Sequence, residues 1–183
     1  MPASFNLPAI SEFWIARITA GDEIIGTFFD SNNVSHGFIR SSDGTFTQID
    51  APGAAQASYG TVLDDVNYGG TIVGSVYTSS ASTQSFLRTA DGTFTVFDPP
   101  GTGPNGSSAN GINTSGVVVG TFMDTGSMQH GYIRNLDGTF TTFDDPNAGQ
   151  SAGTGIGALH INDVGQIVGT YTADQIFHGF LWK

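Results

Sequence analysis

A unit of 46 to 49 residues occurs four times along this chain, and this repetition restricts the fold more than any other feature of the sequence. Each copy carries a leading glycine and then a segment of the His-Gly-Phe-Ile-Arg type, and the first three copies continue into Asp-Gly-Thr-Phe. The leading glycines are Gly26, Gly74, Gly120 and Gly169, at intervals of 48, 46 and 49 residues. A unit this short cannot bury an apolar face alone, so the copies must pack against one another.

Four strands are predicted in each unit, which we call A to D. Strand A ends in Ile-Asn or a related pair, B is of the Ile-Val-Gly-Thr-Tyr type, C is His-Gly-Phe-Ile-Arg, and D is Thr-Phe-Thr-x-Phe-Asp. An Asp-Gly pair joins C to D three times, as a tight hairpin with positive φ requires. Four strands in this length are typical of a propeller blade. The sequence therefore predicts an all-β, four-bladed β-propeller with four antiparallel strands per blade, in a single domain over residues 1–183.

The two chain ends predict how this ring closes. The predicted blades are 13–50, 59–98, 108–144, and 157–183 completed by 1–8. The segment from Phe5 to Pro8 aligns with the one from Phe143 to Pro146, so the chain begins inside a D strand and ends just after a C strand. Pairing of the first strand with the last blade would leave no free edge. A partial ring that needs a second chain remains the alternative.

The repeat resembles a known family. The stretch Ile161-Asn-Asp-Val-Gly165-Gln-Ile-Val-Gly169, followed by His178-Gly-Phe180, is similar to the bacterial extracellular repeats of the His-Ala-Phe (HAF) type, with glycine in place of alanine. The second copy departs from the pattern at Gln84-Ser85. The resemblance covers essentially the whole chain and implies a bacterial origin and an extracellular or periplasmic location. It implies no common catalytic residues, and the N-terminus lacks the pattern of a signal peptide.

Composition excludes several classes of partner. The formal net charge is −11 and only five lysines and arginines are present, too few to neutralise a nucleic-acid backbone or to favour an anionic membrane. No apolar run is long enough to cross a bilayer. There is no cysteine and no cofactor-binding motif, so no cofactor is predicted. A small molecule or a carbohydrate is the expected partner, and a monomer is the expected state.

Three of the four histidines, His36, His130 and His178, stand at one repeat position. One histidine on a middle strand of each blade leaves them far apart, whereas a metal needs ligands about 2 Å from one ion. We therefore predict no metal site, and expect each imidazole to bond with backbone or with a loop carboxylate in its own blade.

One strand-A position differs in every copy, nine residues before each leading glycine. It holds Arg17, Asp65, Gly111 and His160. Lining a central channel, these residues form a candidate catalytic site with His160 as general acid and base, Asp65 as its carboxylate and Arg17 as the anion holder. The alternative is an Arg17–Asp65 ion pair that fills a narrow channel.

The candidate ligand-binding residues are Tyr59, Trp14, Asp64 and Asn110, and the long loops between strand D and the next strand A are the expected ligand surface. The favoured function is a binding or interaction module for a small molecule or a carbohydrate. The alternative is a cofactor-independent lyase, hydrolase or isomerase that uses the channel residues. A fold of this kind hosts many functions, so the sequence identifies neither a ligand nor a substrate.

Overall fold

The computed structural model describes residues 12–19, 21–55, 59–78, 82–149 and 154–183, and these residues contain fifteen β-strands. The first repeat contains β1 (Glu12–Ile18), β2 (Ile24–Phe29), β3 (Ser35–Arg40) and β4 (Phe46–Ile49). The second contains β5 (Thr61–Val66), β6 (Ile72–Tyr77), β7 (Thr83–Arg88) and β8 (Phe94–Phe97). The third contains β9 (Ser107–Ile112), β10 (Val118–Met123), β11 (Gln129–Arg134) and β12 (Phe140–Phe143). The fourth contains β13 (Gly155–Ile161), β14 (Ile167–Ala173) and β15 (Ile176–Trp182).

Within each repeat the strands form an antiparallel meander in chain order. The hairpin between the third and fourth strands turns at Gly44, Gly92 and Gly138, which all have positive φ, as the repeated Asp-Gly pairs predicted. The first strand of every repeat carries a register shift, between Leu63 and Asp65 in the second repeat. Such a bulge bends the strand and re-aims its side chains.

The predicted four-bladed propeller is wrong. The described strands form two four-stranded sheets and one seven-stranded sheet. The third and fourth repeats share the larger sheet because Gln129 of β11 pairs in parallel with Gly155 of β13. The equivalent contact between the second and third repeats, Thr83 with Gly106, is only an isolated bridge. The repeats predicted the number of units correctly, but not the boundaries between the sheets.

Ring closure is not found either. No hydrogen-bonded strand pair joins the fourth repeat to the first among the described residues, and residues 1–8, which were to complete the last blade, lie outside them. A ring of four requires each repeat to turn by a quarter of a circle relative to the last. That angle is set by side-chain packing between repeats, which the repeat length does not specify. In the described part of the chain, no helix could serve as a membrane span.

The core lies between successive repeats. One apolar cluster joins Ile25 and Ile49 of the first repeat to Leu63 and Phe86 of the second. A second cluster joins Val73 to the third repeat, and a third joins Val119 to the fourth. The first strands of the second, third and fourth repeats (β5, β9 and β13) therefore pack against the second and third strands of the repeat before them. This arrangement brings the ends of all four first strands toward one axis.

Candidate functional site

A cleft of about 380 Å³ opens at the C-terminal ends of the first strands, and residues from all four repeats line it. We call it the axial cleft. Its lining residues are Arg17, Ile18, Thr19, Val66, Asn67, Tyr68, Ile112, Thr114, Ile161, Asn162 and Asp163. Its volume lies in the range of small-molecule sites. This cleft is at the opposite end of the strands from the loops on which the sequence placed the ligand surface.

The turns around the axial cleft are tied together by asparagines that the repeat provides. Nδ2 of Asn67 donates to the Asn113 carbonyl oxygen at 3.1 Å, and Nδ2 of Asn113 donates to the Asn162 carbonyl oxygen at 3.4 Å. The backbone N–H of Thr114 donates to Asp163 at 2.9 Å, and this bond lowers the pKa of Asp163. The cleft wall is therefore fixed by bonds from one repeat to the next.

Arg17 and Asp65, both predicted site residues, contact each other. Nε of Arg17 lies 3.5 Å from Oδ1 of Asp65, and the Arg17 side chain is 56% exposed whereas that of Asp65 is buried. The Asp65 carboxylate also accepts the backbone N–H of Val66 at 2.9 Å and of Ile112 at 3.1 Å. Asp65 thus links three repeats and is occupied by structural bonds, while Arg17 extends into the axial cleft.

His160 lies in different surroundings from Arg17 and Asp65. It is exposed, lies on β13, and does not line the axial cleft. The missing side chain at Gly111 lets β9 approach β13, since a Cβ there would lie 3.3 Å from the Cα of His160. Of the candidate catalytic residues, only Arg17 lines the axial cleft, and the catalytic role of the set stays a prediction.

A second cleft of about 330 Å³ adjoins the first and shares part of its wall. We call it the side cleft. It is lined by Thr19, Gly21, Glu23, Asn67, Tyr68 and Gly70. Tyr68 belongs to both clefts and is 83% exposed, the largest exposed fraction among the exposed large apolar side chains of the described residues. An aromatic ring in this position offers a flat apolar surface with a polar hydroxyl at its edge.

Asp64, a predicted ligand residue, carries an unusual carboxyl group. Its Oδ2 is sealed from solvent and has no hydrogen-bond partner. Burial is the main cause that raises the pKa of Asp64 to about 7; a hydrogen bond with Ser75 opposes the shift, and the neighbouring Asp65 charge adds to it. Asn110 holds the same position in the third repeat, and its Oδ1 is likewise buried without a partner. Both side chains occur at the bulges of their strands, and neither lines the clefts described here.

Tyr59 and Trp14 belong to one aromatic group at the other end of the strands. The Tyr59 ring stacks on Tyr77 at 5.0 Å between centroids and meets Phe29 edge-on at 6.2 Å. Trp14 contacts the same Phe29 at 5.2 Å. Tyr59 is half-exposed and has a φ of 49°, a left-handed conformation that bulky side chains rarely adopt. These rings form an exposed surface and also pack the first repeat on the second.

The repeated histidines bond within their own repeats, which confirms the sequence prediction for His36 and His130. Nδ1 of His36 lies 2.7 Å from Asp50, and Nδ1 of His130 lies 2.9 Å from Asp144. Each ring also stacks on a phenylalanine of the neighbouring strand. Among the described residues, no group of three or more His, Cys, Asp or Glu side chains could hold a metal ion.

Replacement of His130 by glutamine is expected to preserve the fold, and replacement by alanine to lower the melting temperature by a few degrees. The second repeat already has Gln84 at this position, where Nε2 donates to Asp98 at 2.9 Å. A glutamine can therefore retain the bond to Asp144, whereas alanine removes both the bond and the ring contact. Thermal melting followed by circular dichroism checks this, and equal melting of the two variants would contradict it.

The fold and these clefts together define an all-β repeat protein with a polar cleft at the convergence of its repeats. No family model and no curated protein sequence matches the chain. Among solved structures, the chain is similar to a triple arginine-to-alanine mutant of AofleA from Arthrobotrys oligospora, with 11% identity and a TM-score of 0.58. The match covers 99% of this chain and 58% of that one, so this chain spans little more than half of its length. Similarity at this identity concerns the fold alone, and the resemblance to HAF repeats stays a prediction.

Sequence reasoning missed Tyr68 and the two clefts. Tyr68 occupies the position of Thr114 and Asp163 in the next repeats. The residue at this position therefore differs from repeat to repeat, as it does at the position of Arg17 and His160. That signal was present, but it was applied only to strand positions. The turns that follow the first strands therefore hold a second position, besides the one in the strands, at which the residue differs between repeats.

Proposed function

We propose that this protein binds a short, neutral carbohydrate in the axial and side clefts, with Tyr68 as the stacking platform. The observation that carries the proposal is the position of Tyr68, which is largely exposed and forms part of both clefts. Tyr68, Thr19 and Asn67 line both clefts, so a ligand that contacts this ring can extend into either cleft. A sugar presents an apolar face to such a ring and hydroxyl groups to its surroundings.

The polar groups of the clefts suit hydroxyl recognition. Arg17 supplies donors, the carboxylates of Asp163 and Glu23 supply acceptors, and Thr19 supplies a hydroxyl group. Carbohydrate sites combine an apolar surface with a few fixed polar groups that set orientation. Bonds between the asparagine-bearing turns of the second, third and fourth repeats fix that part of the cleft wall before any ligand binds, and Arg17 is held by Asp65.

Charge favours a neutral ligand over an acidic one. Arg17 is already paired with Asp65, and Asp163 and Glu23 add negative charge to the same clefts. The whole chain carries a net charge of −11. An anionic sugar would therefore meet repulsion both locally and over the surface.

The Tyr68→Ala variant is expected to weaken binding of a neutral glycan by about tenfold, since loss of an aromatic anchor costs on the order of 1.4 kcal/mol or more. A glycan array identifies the ligand, and isothermal titration calorimetry then compares the wild-type protein with the variant. Tyr68→Phe keeps the ring and should retain most of the affinity. Because Tyr68 is so exposed, neither change should alter the melting temperature.

Leu136→Ala is the matched control, because Leu136 is also a large exposed side chain but lies in a turn of the third repeat outside both clefts. It should bind as the wild-type protein does. Unchanged affinity of Tyr68→Ala would overturn the assignment to these clefts. If Tyr59→Ala abolished binding instead, the ligand would occupy the aromatic group at the opposite end, as the sequence first indicated.

A further inference from the structure

We propose that two copies of this chain associate head to tail, with the first repeat of one copy packed on the fourth repeat of the other. The surfaces concerned are the two ends of the stack of repeats. The leading face is defined by Ile15 and Ile18 on β1. The trailing face consists of Val168, Gly179 and Leu181 on β14 and β15. This state differs from the monomer expected from the sequence.

The trailing face corresponds to positions that are buried in the first three repeats. Ile25, Val73 and Val119 occupy one position in the first three repeats, and all three are buried because the next repeat covers them. The fourth member of this set, Val168, is 48% exposed. Leu181 is 53% exposed, whereas its equivalents Ile39, Leu87 and Ile133 pack against the three core clusters.

The leading face shows the same relation at the other end. Leu63 and Ala109 of the second and third repeats are fully buried against the preceding repeat, and their equivalent Ile15 is 45% exposed. Val66 and Ile112 are buried, and their equivalent Ile18 is exposed. The positions that are buried at the internal junctions are thus apolar in the first and fourth repeats as well, but there they are exposed. Exposed apolar positions of this kind are expected of an interaction surface.

One pair of positions at the two free ends has the same combination of residue sizes as the first junction. At the first junction Leu63 fills the space over Gly37, since a Cβ on that glycine would lie 2.7 Å from Cγ of Leu63. At the second junction the smaller Ala109 is combined with Ser85 at the position of Gly37. The free ends repeat the first combination, with Gly179 on the trailing face and Ile15 on the leading face. A Cβ on Gly179 would meet only one atom, at 3.9 Å, so the space that Leu63 fills in the first junction is open here.

The series of hydrogen bonds between the asparagine-bearing turns also stops at the fourth repeat. Asn67 and Asn113 each donate to the carbonyl oxygen of the following repeat, whereas Nδ2 of Asn162 donates to Gln166 in its own turn. Stacks of repeats whose terminal faces remain apolar need a cap or a partner. The match covers only 58% of the similar AofleA chain, so that chain continues beyond the matched part.

The contact is heterologous, because each copy would use two different faces. Two residues at the free ends differ from their equivalents at the internal junctions. Glu12 takes the position of the glycines that approach the preceding repeat, which are Gly60, Gly106 and Gly155. Phe177 takes the position of the residues that these glycines approach, which are Ser35, Thr83 and Gln129. That edge cannot form the close backbone contact of the internal junctions. The contact is therefore centred on Ile15 and Leu181, and these positions are the ones to test.

Sedimentation equilibrium of the full chain over roughly 1 to 200 µM covers the range in which weak contacts form. We expect the average mass to rise to at least twice the monomer mass of 19.1 kDa. Added salt should strengthen the association, because it screens the net charge of −11 on each copy. A monomer at every concentration would overturn the proposal.

Single variants test the two faces separately. Ile15→Asp and Leu181→Asp should each lose self-association, since either change places a charge in the apolar contact. An equimolar mixture of the two should recover a dimer and nothing larger, because Leu181→Asp keeps its leading face and Ile15→Asp keeps its trailing face. Leu136→Asp introduces the same charge at an exposed position away from both faces; it is the control and should associate as the wild-type protein does. A mixture that stays monomeric, or variants that associate normally, would refute the head-to-tail arrangement.

Discussion

The Asp64→Asn variant is expected to be more stable than the wild-type protein at pH 8 by roughly 2–4 kcal/mol. The Asp64 carboxyl is sealed from solvent with one oxygen unpartnered, and burial raises its pKa to about 7. At pH 8 the native state must hold a buried charge that the unfolded chain solvates freely. A shift of about three pKa units corresponds to about 4 kcal/mol as an upper limit.

The sign of the pH dependence follows from proton binding. Between pH 3.8, the ordinary pKa of an aspartate, and about pH 7, the native state keeps the Asp64 proton that the unfolded state has released. Stability therefore decreases as the pH rises through this range. The asparagine variant has no proton to release at this position and should lack that decrease. Asn110 in the third repeat shows that an amide is accommodated at the equivalent bulge.

Urea unfolding at a series of pH values from 4 to 8 measures this effect as the difference between the two proteins. Contributions from other titratable groups are common to both proteins and cancel in this difference. Asp65→Asn is the contrasting variant, because its carboxylate accepts two backbone N–H groups and contacts Arg17, so its loss should destabilise the protein. A difference between wild type and Asp64→Asn that stays constant with pH would show that Asp64 is ionised throughout.

Replacement of Gly106 by alanine is expected to cost more than about 3 kcal/mol of unfolding free energy. Gly106 has a φ of 82°, and a Cβ there would collide with the Thr83 carbonyl oxygen of the preceding repeat. The change therefore combines backbone strain with separation of the second and third repeats. It should weaken the core cluster that joins them around Val73 and Ala109.

Gly53 provides a control with the same backbone conformation. Its φ is 83°, but a Cβ there would meet nothing within 4 Å. Gly53→Ala should therefore cost only the strain of the left-handed conformation, about 1–2 kcal/mol. Chemical unfolding of both variants separates the strain from the collision. Equal losses would show that close approach of the repeats at Gly106 is unimportant for stability.

The local structure was predictable because the repeat shows each element several times. The Asp-Gly pairs, for example, placed the hairpin turns at Gly44, Gly92 and Gly138 correctly, since only a few residues tolerate the backbone conformation of such a turn. The histidine contacts were predictable for a related reason. His36 and Asp50 recur together at a fixed spacing, as do His130 and Asp144, which indicates contact within one unit.

The candidate site was predictable only in part. The position that changes from repeat to repeat did bring Arg17 and Asp65 together, because equivalent residues of neighbouring repeats lie side by side. The clefts beside Tyr68 depend on how far apart the turns of neighbouring repeats lie. Distances of that kind result from packing between units, and no pattern within a single unit encodes them.

By itself, the sequence determined the unit, the number of units and the strand order within each, because hydrogen-bonding and turn preferences act over a few neighbouring residues. Only the tertiary structure decided that the third and fourth repeats share one sheet and that the described ends of the stack remain unpaired. The physical reason is the angle between repeats. The first junction has Leu63 over Gly37, whereas the second has Ala109 and Ser85 at the same two positions. Such differences change the angle at each junction slightly, and these changes add along the stack. Their sum decides whether the first repeat meets the last.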